Sequence, residues 1–114
     1  MEDCIFCKIV DGEIPSNKLY EDDKVIAFHD INPEAPVHFL VVTKEHISSV
    51  NELNDDNFDC ISHIFKVINK LVVDTNIDKS GYRIINNCGE DGGQSVNHIH
   101  FHVLGGKKLP INLS

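Results

Sequence analysis

Apolar and polar positions alternate along this chain with two different periods. Residues 97–104 read Asn-His-Ile-His-Phe-His-Val-Leu, with period 2, which is strand spacing. On such a strand His98, His100 and His102 point to one face, and Ile99, Phe101 and Val103 point to the other. Residues 19–21, 24–29, 37–43 and 82–86 read as four further strands. The third of these, Val-His-Phe-Leu-Val-Val-Thr, is rich in branched and aromatic residues. Beyond residue 54 the period lengthens to that of a helix. Phe58, Ile61, Phe65, Ile68 and Val72, with Ile64 and Leu71, then form one apolar face. Asn54 or Asp55 can cap it, and the acidic pair Asp55-Asp56 suits its positive end.

The connecting segments carry their own signals. Residues 4–10 predict a short helical turn, stopped by Asp11-Gly12. Asn32-Pro-Glu-Ala-Pro36 is a loop, because proline lacks a donor and restricts its neighbour. Residues 87–95 are rich in glycine and small polar side chains. The order β-β-β-α-β-β predicts one α+β domain spanning residues 1–114: a five-stranded antiparallel sheet with one long helix on one face and a short N-terminal helix. The other face is left for a ligand or a partner subunit.

The three-histidine face is more than a core requires. Alternating histidines can converge on a metal such as zinc. Alternatively, a neutral imidazole can attack phosphorus while its neighbours stabilise charge. The loop before them favours the second reading. Gly92-Gly-Gln-Ser95 lets backbone approach a ligand closely and supplies amide donors, a carboxamide and a hydroxyl. His38 adds a fourth histidine on another strand.

A net charge of −8 argues against a nucleic-acid backbone or an anionic membrane as the main partner. A local cluster of donors could still hold one phosphate. No apolar run is long enough to span a bilayer, and the acidic start lacks a signal-peptide layout. A cytoplasmic protein, small enough to enter a nucleus as well, is therefore expected. The cysteines Cys4, Cys7, Cys60 and Cys88 are then expected as thiols or metal ligands. Cys60 falls beside the apolar helix face, and His29 and His63 read as surface residues.

Several separate segments together resemble the histidine triad family of nucleotide hydrolases and transferases. They are Cys4-Ile-Phe-Cys-Lys-Ile9, Phe28-His-Asp-Ile-Asn-Pro-Glu-Ala-Pro-Val-His-Phe-Leu40, Lys44-Glu-His46, Gly92-Gly-Gln-Ser-Val96 and His98-Ile-His-Phe-His-Val-Leu-Gly-Gly106. The closing Val103-Leu-Gly-Gly106 resembles the nucleotide-binding branch, whose members hydrolyse purine nucleoside phosphoramidates. The resemblance implies His100 as the nucleophile on the α-phosphorus, with His98 fixing its tautomer. It implies His102 and Ser95 at the phosphate or the leaving amine, and His38 as an orienting or proton-relaying residue. Gln94, Val96 and Asn87 would complete the phosphate cradle, Asp30 would accept from the ribose hydroxyls, and Ile5, Phe6, Ile9, Phe28 and Ile31 would form the slot for the base.

The family also suggests that Cys4, Cys7, His46 and His98 hold a structural zinc, and that the chain is a homodimer. Alternatives are a dinucleoside-polyphosphate hydrolase using the same His100, a nucleotide-binding regulatory module and a zinc sensor. The tail, Lys107-Lys-Leu-Pro-Ile-Asn-Leu-Ser114, departs from the family by lacking a tryptophan found near the end of many members.

Overall fold

Five strands form a single antiparallel sheet in the order β1-β2-β3-β5-β4. They are β1 (Lys18–Glu21), β2 (Val25–His29), β3 (Val37–Thr43), β4 (Tyr82–Ile85) and β5 (His100–Gly105). Two α-helices accompany them, α1 (Ile5–Val10) and α2 (Asp59–Asp74), so the α+β arrangement is as expected. The structure, a computed structural model, describes residues 4–111. The acidic start at residues 1–3 and the end of the divergent tail at 112–114 lie outside the described residues.

The histidine strand β5 sits between β3 and β4, so it is paired on both sides. Register then fixes what each histidine stands beside: Leu40 lies opposite His102, Val42 opposite His100, and Ile85 opposite His102 on the other flank. One face of the sheet carries Val25, Ala27, Phe39, Val41, Phe101 and Val103, all buried beneath α2. The helix covers them with Ile64, Val67, Ile68, Leu71 and Val72. Burying each such side chain contributes roughly 1.5–3 kcal/mol, so this layer supplies most of the hydrophobic stabilisation. The opposite face carries Ile26, Phe28, Leu40 and Val42, and Phe6 of α1 closes over them.

Some sequence expectations need correction. The long helix begins at Asp59, not at Asn54 or Asp55. The Asn54 side chain instead accepts from the Asp56 amide (2.9 Å), capping a separate turn before the helix. The buried stripe is also rotated: Phe58 and Phe65 are 52% and 42% exposed, and Val67 is buried. Apolar residues cover so much of this helix that two overlapping stripes fit the period. The sheet takes the aliphatic one, and Phe65 meets Phe101 edge-on at its margin (ring centroids 5.7 Å apart).

The strand expected over 97–104 starts only at His100, because the Ile99 amide leaves the ladder to donate to Ile47 O (2.6 Å). β4 stops at Ile85, one residue short of expectation, and the Asn86 side chain continues the pairing by donating to His100 O (2.9 Å). Finally, His63 is not an idle surface residue. Its Nε2 lies 2.6 Å from Asp22 Oδ2, tying α2 to the β1–β2 turn. His29 is half-buried at the end of β2.

Asp22 organises that turn. Its carboxylate accepts from the Lys24 and Val25 amides (2.7 and 2.9 Å) and from the Tyr20 hydroxyl (2.8 Å) as well as meeting His63. Partial burial opposes its ionisation, but the hydrogen bonds from His63, the two amides and Tyr20 together outweigh that and hold its pKa well below the usual carboxylate range. A carboxyl with a folded pKa below its unfolded value of about 3.9 gives stability that is complete above the unfolded value and lost as pH falls toward the folded one. The substitution Asp22→Asn should cost about 1–3 kcal/mol near neutral pH and flatten the fall in stability below about pH 4. Urea denaturation followed from neutral pH into the acid range measures both effects.

Candidate active site

The short helix α1, with Cys4 before it, lies against the histidine face. Cys4 caps it, its sulfur accepting from the Cys7 amide (3.3 Å). The helix points Phe6 into the sheet, where its ring meets His100 edge-on at 4.9 Å between centroids and His98 at 6.0 Å. Phe6 also packs against Phe28 (5.8 Å). One aromatic side chain thus braces two of the three histidines.

Hydrogen bonds determine what each imidazole offers. His98 is fully buried, and its Nε2 donates to Thr43 O (2.7 Å). Nδ1 therefore carries a lone pair, and it faces Cys4 Sγ at 3.2 Å and Cys7 Sγ at 3.5 Å. His46 Nδ1 lies 3.2 Å from Cys7 Sγ. The four ligand atoms of Cys4, Cys7, His46 and His98 all fall within 4.8 Å of one another. Two thiols and two imidazole nitrogens turned toward one point are a donor set suited to a tetrahedral metal.

His100 donates from Nδ1 to the carbonyl of His98 (2.7 Å). Nε2 is thereby left as the lone-pair nitrogen, and it has no hydrogen-bond partner among the described residues. Burial holds the His100 pKa below the ordinary histidine value, so the ring is neutral near pH 7.

His38 and His102 form a directed pair. The Glu34 amide donates to His38 Nδ1 (3.1 Å), which leaves the His38 proton on Nε2. That nitrogen lies 3.0 Å from His102 Nδ1 and 3.4 Å from Asp30 Oδ2. His102 accepts there, so its own proton sits on Nε2 as a donor. Burial, then the neighbouring His100 and His38, push the His102 pKa down to about 4.

The loop before β5 is self-supporting. Gln94 donates to Ser48 O (2.7 Å) and Val96 O (2.9 Å) and accepts from the Gly89 amide (2.9 Å). Asn87 donates to Gly92 O (2.7 Å). A Cβ at Gly92 would collide with the Cys88 carbonyl, and Gly93 has φ +78°. Both glycines are therefore required by the loop's path. Ser95 is exposed, and Val96 packs against the Phe6–Phe28 cluster.

Most residues singled out from the sequence are gathered on one face, but not all in one role. Phe6 and Phe28 are buried and Ile9 packs against them, whereas Ile5 and Ile31 are 44% and 88% exposed. The Gln94 amide is committed to holding its loop. Asp30 faces His38 and also accepts from the Asn32 amide (2.8 Å). Cys60 packs against the α2 core layer as expected, and Cys88 lies half-buried in the loop. The Thr43 carbonyl and the Glu34 amide were missed. Both act through the main chain, which leaves no side-chain signature. Beside His38 and His102 an open cavity of about 430 Å³ extends past Glu34, Asn87, Ile85, Leu104 and Arg83 to the tail.

Comparison with known proteins agrees with this geometry. Residues 3–111 match the family model described as scavenger mRNA decapping enzyme C-term binding. A histidine triad protein from Clostridium difficile superposes with a TM-score of 0.95 at 56% identity, covering 99% of this chain and 98% of its own. The chain belongs to the histidine triad (HIT) family. A HIT family hydrolase from Clostridium thermocellum superposes with a TM-score of 0.96 at 47% identity, over 100% of this chain and 99% of that one. The purine nucleoside phosphoramidase of Escherichia coli is 42% identical over 108 residues, covering 95% of this chain and 91% of its own. Among the described residues of this HIT protein no helix is long and apolar enough to cross a membrane.

A neutral His102 is the most direct electrostatic consequence of this packing. Its imidazole should stay neutral through the weakly acidic range and titrate near pH 4. A histidine-selective NMR titration checks this; a midpoint near the unperturbed value of about 6.5 would mean that the buried pair with His38 does not form.

Proposed function

We propose that this HIT protein is a purine nucleoside phosphoramidase. It would hydrolyse the P–N bond of AMP–amine or AMP–lysine adducts through a nucleotidyl–His100 intermediate. The observation that carries the reading is the His100 tautomer: Nδ1–H is held by the His98 carbonyl, so Nε2 carries the free lone pair that would meet substrate. The similarity to the Escherichia coli phosphoramidase supports the choice of substrate class.

Attack by Nε2 on the α-phosphorus forms a P–N bond to the ring, and the bond to the amine breaks. The amine leaves with its electron pair and takes up a proton, from Ser95 or from water in the open cavity. The ring becomes a cation while it carries the nucleotide, and the His98 carbonyl, already against Nδ1–H, stabilises that charge without reorganising. Water then attacks phosphorus as the P–N bond to the ring breaks, its proton going back to the group that protonated the amine, and AMP and neutral His100 are released. His102 donates from Nε2 to a phosphate oxygen, oriented by His38, and the backbone at Ser95–Val96 completes the cradle. Asp30 would meet the ribose. Phe28, Phe6 and Ile9 form the wall of the base slot, with the exposed Ile5 and Ile31 at its edges. Gln94 and Asn87 act by holding the cradle's path.

We also propose that the Cys4–Cys7–His46–His98 set holds zinc. When bound, the ion would link α1 to the sheet and take no part in bond breaking. A homodimer is proposed too: β4 is an edge strand, and Phe58, just before α2, and Phe65 within it are exposed apolar side chains.

Replacing the nucleophile (His100→Ala) should lower kcat for an AMP–lysine amide by at least about 10³-fold with a cooperative melt retained. Turnover at the parent's rate would end the mechanism. A faster reaction with diadenosine polyphosphates than with the amide would instead favour the polyphosphate hydrolase. For the metal, one zinc per chain is expected by elemental analysis. Cys7→Ser should remove it and lower Tm by roughly 4–8 °C for each kcal/mol lost, with measurable phosphoramidase activity remaining. Full-strength zinc binding by that variant would exclude Cys7 as a ligand.

A further inference from the structure

The turn after β3 carries His46 and is fastened to the histidine run at both ends. At its start Thr43 O accepts from His98 Nε2 (2.7 Å). At its end Ile47 O accepts from the Ile99 amide (2.6 Å). The Lys44 amide donates to Lys24 O (2.9 Å), tying the same turn to the start of β2. Within residues 43–47, one hydrogen bond among the described residues joins a side chain to the main chain. It is made by Thr43, whose Oγ1 donates to Glu45 O (2.7 Å). Thr43 is buried at the end of β3, opposite Val25.

Two imidazoles depend on this turn. The Thr43 carbonyl fixes His98, and His46 follows three residues later. Their rings meet edge-on, with centroids 4.9 Å apart and planes at 85°. His98 Nδ1 lies 3.2 Å from Cys4 Sγ, and His46 Nδ1 lies 3.2 Å from Cys7 Sγ. The separation of the two nitrogens therefore follows the path of the chain from residue 43 to residue 46. Glu45 is exposed, so without the hydroxyl its carbonyl would be free to turn to water, and the peptides leading into His46 would turn with it. The hydroxyl also lies 3.4 Å from His98 Nε2. Having spent its proton on Glu45 O, it can only accept there, a secondary contact that favours the same Nε2–H tautomer as the carbonyl does. Any residue at position 43 would supply the carbonyl. Only a short hydroxyl side chain, threonine or serine, supplies the rest.

We propose that Thr43 is a positioning residue for the candidate metal centre. Its hydroxyl holds the turn that sets His46 against His98, and it supports the His98 tautomer whose Nδ1 faces the thiols. Thr43 is not itself a ligand and acts through the two histidines, as outer partners of metal ligands do. The proposal rests on the zinc reading given above. It reaches His100 only through the His98 carbonyl, so zinc affinity rather than turnover is its primary readout.

The test compares Thr43→Val, which keeps the shape and the main-chain carbonyl but removes the hydroxyl, with Thr43→Ser, which keeps the hydroxyl. Zinc affinity is measured on the full chain by competition with a chelator. Thr43→Val should bind zinc about 10–100-fold more weakly than the parent, and Thr43→Ser should return to the parent's affinity. Cobalt(II) in place of zinc gives a second readout. The visible absorption of a tetrahedral site with two sulfur and two nitrogen ligands is expected in the parent and in Thr43→Ser, and should be weakened in Thr43→Val as His46 moves away. Should Thr43→Val fail to fold, Thr43→Ala removes the hydroxyl without placing a methyl against the Glu45 carbonyl, and the same results are expected of it. Parent-like zinc affinity and cobalt absorption without the hydroxyl would overturn the proposal. So would a lower Tm of the zinc-free variant with zinc affinity unchanged, which would make the hydroxyl a structural bond only. Weakened binding that Thr43→Ser does not restore would overturn it too. A parent that binds no zinc would end the zinc reading and this proposal with it, an outcome distinct from the others because it needs no variant.

Discussion

The ladder that pairs β5 on both flanks is the constraint on which the rest of this molecule depends. Pairing with β3 and β4 holds His100 to Gly105 in an extended, pleated conformation, so side chains must alternate between two environments. One environment is the dry layer under α2. The other is the face where imidazoles meet each other, Phe6 and the cavity. A register slip of one residue would exchange these two sets and place histidines in the core. The α2 layer therefore does chemical work at a distance: by burying Phe101 and Val103 it fixes which way His100 and His102 point.

His98 carries a second constraint, and it lies just outside that ladder. Its side chain faces the two thiols and His46, its Nε2 is fixed by Thr43 O, and its carbonyl holds His100. A single residue thus joins the candidate metal centre to the candidate nucleophile. Phe6 ties the same two rings together from α1. Disturbing the N-terminal turn would be felt at His100 through two routes, one polar and one aromatic.

The strands, the helix and the histidine face were legible because each rests on periodicity or on side-chain identity. β3 was readable to the residue, since its branched and aromatic run has sharp boundaries. Element ends were not: β5 starts late because of an amide bond to Ile47, which is remote in sequence, and β4 ends where an asparagine side chain takes over. The α2 stripe was misplaced because apolar residues wrap much of the helix and only the sheet chooses among them. The cysteine and histidine set came from resemblance, and the fold gathers its ligand atoms together. What left no trace in the sequence were the main-chain contributors, the Thr43 carbonyl and the Glu34 amide.

The Glu34 amide sets the polarity of the whole His38–His102 pair. A main-chain N–H can only donate, so His38 Nδ1 can only accept, and the order of protons through both rings follows. That order is written in the path of the loop rather than in the identity of residue 34. Any amino acid with a main-chain N–H would preserve it equally if the loop kept its course; proline alone would erase it. The direction of the proton chain is thereby protected against sequence drift at the position that establishes it.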